Sequence, residues 1–113
     1  MIKLPLKWVE ALARAKLVSR PEMLCIDVPE APTATELSTN LILREVRDGY
    51  AKWAHFRCPR CGEHIQLPIV GKGSWSLRVD LLRRPTLHPS VWQTGSCKAH
   101  FFVRAGRLAW CRD

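Results

Sequence analysis

Cys58-Pro59-Arg60-Cys61-Gly62 is the stretch that decides the fold, and Cys97-Lys98-Ala99-His100 answers it near the other end of the chain. Each places two residues between its outer pair, a spacing that lets one tight turn aim two side chains at one ion. Zinc takes four such nitrogen and sulfur ligands in a tetrahedron. The pattern predicts one structural zinc held by Cys58, Cys61, Cys97 and His100, joining the middle of the chain to its C-terminal end. Cys111 competes for the fourth place. A last hairpin of His100–Arg104, Ala105-Gly106 and Arg107–Cys111 sets Cys111 opposite His100 on one face. An all-cysteine set of Cys58, Cys61, Cys97 and Cys111 would free His100 for other work. A closed four-ligand site is structural, whereas a catalytic zinc keeps a position for water. No His-Glu-x-x-His helix is present to support a metalloprotease.

Outward from the cysteines the chain reads mostly as β-strand. Tyr50–Phe56 leads into Cys58 and pairs across Arg47-Asp48-Gly49 with Asn40–Val46. Residues 23–28 form a short buried strand that Pro29 closes. Ile65–Val70 and Trp75–Leu82 add two more strands around Gly71-Lys72-Gly73-Ser74. Residues 85–92, Pro-Thr-Leu-His-Pro-Ser-Val-Trp, carry two prolines and are expected to be a fixed, partly extended loop. At the start, Pro5 and the spacing of Leu4, Trp8, Leu12 and Ala15 predict a helix over residues 5–18. The fold class is therefore α+β, mainly antiparallel hairpins with an N-terminal helix. The expected organisation is a single zinc-ribbon-like domain over 1–113, with a helical segment at 1–22 and a zinc-clipped β-domain at 23–113.

The chain has 113 residues, five cysteines, five tryptophans and a formal charge of +8. That size allows one modest core, which a metal clip would reinforce. Residues 1–56 carry eight Lys/Arg against seven Asp/Glu, and residues 57–113 carry ten against three. The C-terminal half is the electropositive half, suited to an acidic protein face or to nucleic acid. Paired cysteines without a secretory signal favour a cytoplasmic metal site over disulfides. No apolar run reaches the roughly 20 residues of a membrane span. Cys25 reads as a small buried hydrophobe.

Several segments together resemble one family. They are Pro5-Leu6-Lys7-Trp8, Lys52-Trp53-Ala54-His55-Phe56, Cys58-x-x-Cys61-Gly62-Glu63 and Trp75-x-Leu77. Pro85-Thr86-Leu87-x-Pro89-Ser90-Val91-Trp92 and Cys97-x-x-His100-Phe101-Phe102-Val103-Arg104-x-Gly106-Arg107 complete the set. The resemblance covers nearly the whole chain and is to a small bacterial zinc-binding family of unassigned function. Its members lie beside genes for ubiquitin-like proteins and for E1-like and E2-like enzymes. It implies a peptidase that trims or removes a bacterial ubiquitin-like protein, with that protein and possible E1-like or E2-like proteins as partners. Many members carry a Cys-x-Cys-Gly-Cys-Gly segment where this chain has Cys-x-x-Cys-Gly.

For such chemistry Ser90 is the candidate nucleophile, because it follows Pro89 in a constrained segment seven residues before Cys97. A serine nucleophile needs a base within hydrogen-bond reach and usually a group that orients the base. His64 and His55 flank the cysteine turn and are the candidate bases. His88 lies too close in sequence for an extended segment. His100 can serve only if Cys111 replaces it on the metal. Asp80 or Glu63 would orient the base. A serine after proline also commonly bonds its own backbone, and no Gly-x-Ser-x-Gly elbow is present. The rival reading is a non-catalytic zinc module that scaffolds a conjugation complex. Such a module could instead grip nucleic acid through Arg57, Arg60, Lys72, Arg78, Arg83, Arg84, Lys98, Arg104 and Arg107.

Overall fold

The alternation of apolar and polar residues on either side of the cysteine turn builds two four-stranded sheets. The computed structural model describes Lys7 and residues 22–111. The first sheet holds β1 (Leu24–Val28), β2 (Leu41–Arg47), β3 (Tyr50–Arg57) and β4 (His64–Pro68), in that spatial order. The second holds β5 (Ser76–Val79), β6 (Pro85–Trp92), β7 (His100–Arg104) and β8 (Arg107–Trp110), again in order. All neighbours are antiparallel except β1 and β2, which run parallel.

The α+β expectation is corrected here. Residues 22–111 are all-β apart from one 3-10 turn at Ala34–Glu36. The α component rested wholly on the helix expected over residues 5–18, which lies outside the described residues, Lys7 apart. From residue 23 onward, the segment at 85–92 apart, the stretches read as strand are strands.

The two sheets share one apolar interior. Met23, Cys25, Ile42, Ala54, Phe56, Ile65 and Leu67 meet Leu87, Val91, Ala99, Phe101 and Val103, all buried. Phe56 and Phe101 touch edge to face across the join, with ring centroids 6.4 Å apart. Backbone bonds reinforce the join: Met23 N–H donates to Gly106 O at 2.8 Å, and Cys25 N–H to Arg83 O at 2.8 Å.

The segment at 85–92 is a strand between β5 and β7, not the loop its prolines predict. Pro85 opens the strand, where a missing N–H costs little. Pro89 falls where the β6–β7 register shifts, between Leu87 and Val91. A bulge leaves residues unpaired and so tolerates a residue that cannot donate. The same bulge breaks the pairing around Ser90.

The parallel pair β1–β2 needs a long connection, and residues 29–40 supply it. Arg57 ties this connection to the cysteine turn. Its guanidinium donates to Ala34 O at 2.6 Å, to Leu37 O at 3.3 Å and to Gly62 O at 3.0 Å. Its role is therefore to hold three backbone carbonyls.

Candidate active site and metal centre

β3 delivers Cys58 into the core, and the chain turns at once. Gly62 N–H donates to Cys58 O, and Cys58 N–H to Glu63 O, both at 2.8 Å. Gly62 adopts a φ of +80°, which glycine reaches without steric cost. Across the join, the loop before β7 closes on itself through Gln93 N–H to Ala99 O at 2.8 Å and Lys98 N–H to Gln93 O at 2.9 Å. That loop presents Cys97. The Cys58 and Cys97 sulfurs lie 3.6 Å apart, and the Cys58, Cys61 and Cys97 sulfurs all lie within 4.8 Å of one another.

A disulfide would hold two sulfurs at about 2.05 Å. Two thiolates on a tetrahedral zinc, each about 2.3 Å from it, sit about 3.8 Å apart. The spacing therefore fits metal ligands. Burial pushes the Cys58 thiol above its ordinary value. On Cys97 the burial penalty is outweighed by hydrogen bonds from the Ala99 backbone and from the Cys61 and Cys58 thiols, so its thiol lies below the ordinary value. Three close sulfurs with one favoured thiolate can hold a metal ion once the remaining protons leave. Among the described residues, neither His100 nor Cys111 joins this group.

His100 points elsewhere. It lies between Ala99 and Phe101, both fully buried, so strand alternation turns its ring to the opposite face of the second sheet. There its Nε2 lies 2.7 Å from Ser90 Oγ. Trp92, paired with His100 across β6 and β7, stacks on the imidazole at 5.1 Å with 17° between planes. Phe102 lies on its other neighbour side at 6.5 Å and 29°, and the Arg104 guanidinium sits 4.4 Å above Phe102. The Trp75 indole donates to Ser90 O at 3.2 Å, which fixes the serine backbone. Cys111 N–H donates to His100 O at 2.8 Å, as the hairpin reading expects.

The two histidines expected beside Ser90 form a separate relay in the first sheet. His55 Nε2 lies 2.9 Å from Glu45 Oε1 and His55 Nδ1 lies 3.2 Å from His64 Nε2. Glu45 and His55 are buried, and Arg47 also bonds Glu45 at 2.9 Å. Burial, with the nearby charges of His55 and Arg57, holds His64 below the ordinary histidine value. Glu45 was missed in the sequence. Its signal is the strand register: it pairs with Trp53, which makes His55 its diagonal neighbour within side-chain reach. Asp80 is engaged in its own turn, accepting from Arg84 Nε at 2.6 Å and from the Leu82 and Arg84 N–H groups at 2.9 Å. Glu63 uses its backbone carbonyl to hold the cysteine turn.

A serine hydroxyl against a histidine ring agrees with the comparison to known families. Residues 28–111 match the family described as the bacterial ubiquitination-like system serine protease, BubE. The chain belongs to the BubE family. The resemblance to a family linked with ubiquitin-like conjugation is borne out at that level. No curated protein and no solved structure matches the chain. A BubE serine protease requires a serine with a base in reach. Among the described residues, Ser90 is the serine whose hydroxyl meets a histidine. No helix among the described residues is long and apolar enough to cross a membrane.

Proposed function

We propose that this chain hydrolyses the acyl bond at the C-terminus of a bacterial ubiquitin-like protein, trimming a precursor or releasing the protein from a conjugate. Ser90 is the nucleophile and His100 the base. The 2.7 Å contact between Ser90 Oγ and His100 Nε2 carries the reading, together with the family. His100 with its proton on Nδ1 leaves Nε2 free to take the Ser90 proton as Oγ attacks the carbonyl carbon. The imidazolium then gives that proton to the leaving group, and the acyl group stays on Ser90. Water, deprotonated by His100, attacks the ester, and the proton returns to Ser90 as the acid leaves. Among the described residues no carboxylate bonds the His100 ring. Stacking by Trp92 and Phe102 orients it instead, and an aromatic face also favours the cationic form that develops during reaction.

Cys58, Cys61 and Cys97 would hold a structural zinc through their thiolates. Bound there, the metal supplies a crosslink between the two sheets. It would fix the loop that leads into His100, three residues after Cys97.

Ser90→Ala should lower turnover of the matched ubiquitin-like substrate by at least about a thousandfold, because a serine and its base act as a unit. Fold and metal content should be unchanged. Equal cleavage by wild type and Ser90→Ala would leave the non-catalytic scaffold as the reading.

A further inference from the structure

β5 and β6 pair Ser76 with His88, Leu77 with Leu87, and Arg78 with Thr86. Leu87 is buried and Leu77 packs on the core. Strand alternation therefore puts Ser76, Arg78, Thr86 and His88 on the opposite face of the second sheet. These four residues line a cavity of about 300 Å³. His100 and Trp92 occupy that same face, with Ser90 Oγ bonded to His100. β6 thus carries both the cavity wall and Ser90. His88 and Thr86 precede Ser90 on the same strand.

The chemistry of the cavity is one-sided. Arg44, Arg47 and Arg84 are each paired with a carboxylate, on Asp27, Glu45 and Asp80. Arg78 is exposed and has no such partner among the described residues. Thr86 Oγ1 already accepts from Ala105 N–H at 2.9 Å, which leaves its own O–H to donate. Ser76 adds a second hydroxyl and His88 a ring N–H. No acidic residue lines the cavity. A guanidinium and two hydroxyls lining one cavity without a counter-charge match a carboxylate, which Arg binds through two parallel bonds.

We propose that this cavity is a specificity subsite that takes a carboxylate of the polypeptide substrate, next to the bond that Ser90 attacks. The inference rests on the reading of Ser90 as nucleophile. The carboxylate belongs either to an Asp or Glu side chain near the scissile bond or to the free C-terminus of the segment removed.

The test uses the full chain carrying Ser90→Ala, with and without Arg78→Ala, and fluorescent peptides spanning the processing site of the matched ubiquitin-like protein. One peptide pair exchanges Asp/Glu for Asn/Gln, and a second exchanges the terminal carboxylate for a carboxamide. The expected result is that Arg78→Ala weakens binding of one carboxylate peptide by about tenfold, the size of a charge-assisted bond, and leaves its neutral counterpart unchanged. The pair that responds identifies the source. Without Ser90→Ala, Arg78→Ala should raise KM for the same substrate about tenfold while kcat stays within about twofold. Equal affinity for carboxylate and neutral peptides, or a preference that survives Arg78→Ala, overturns the proposal. Loss of the Ser90 reading shows separately, as turnover that Ser90→Ala does not reduce.

Discussion

His100 shows how much a single residue can hide in a sequence. Its spacing from Cys97 suggests a ligand, yet it has already entered β7, and the pleat turns it away from the thiols towards Ser90. Spacing records separation along the chain, whereas side-chain direction depends on where the strand begins. His64 illustrates the reverse. It was legible as a flanking histidine, but its partner Glu45, through His55, lies on a strand nineteen positions earlier. Because burial and neighbouring charge keep His64 below the ordinary value near 6.5, the unfolded chain binds its proton more readily than the folded one. The sign follows: the stability this neutral histidine contributes is complete above pH 6.5 and is lost as pH falls through its lowered value. His64→Gln should therefore flatten the loss of stability between pH 7.5 and 5.5 relative to wild type, read from urea midpoints. An unchanged difference between the two pH values would show that His64 does not contribute.

At the scale of elements, the strands and hairpins on both sides of the cysteine turn were readable because alternation and turn residues agree. β6 was not. Proline argues against a central strand, and nothing local announces that a bulge will absorb Pro89. The N-terminal helix pattern added a class of structure that residues 22–111 do not contain. The cysteine turn was the clearest element, and its glycine can be examined directly. A Cβ on Gly62 would meet nothing within 4 Å, but φ is +80°. Gly62→Ala should thus cost about 1–2 kcal/mol through the left-handed backbone alone, a fall of several degrees in Tm with cysteine contacts retained. No change in Tm would show that the turn relaxes to another conformation.

For the molecule as a whole, the cysteine trio and the Phe56–Phe101 contact join the same two sheets. The link between the middle of the chain and its C-terminal end was legible in the cysteine spacing, but the fourth partner of the trio was not, since His100 and Cys111 face each other across one hairpin. Elemental analysis of His100→Ala and Cys111→Ala separates them. His100→Ala should retain its zinc; loss of metal from that variant would return His100 to the site, and loss from Cys111→Ala alone would place Cys111 there. The placement of these parts also has a meaning in time. Cys58 and Cys61 leave the ribosome well before Cys97. At about 5–20 residues per second, their turn waits a few seconds for its third thiol. The Ser90–His100 contact spans that same late stretch. A growing chain thus brings its three thiols and its serine–histidine contact together almost at once, after residue 100 has been made.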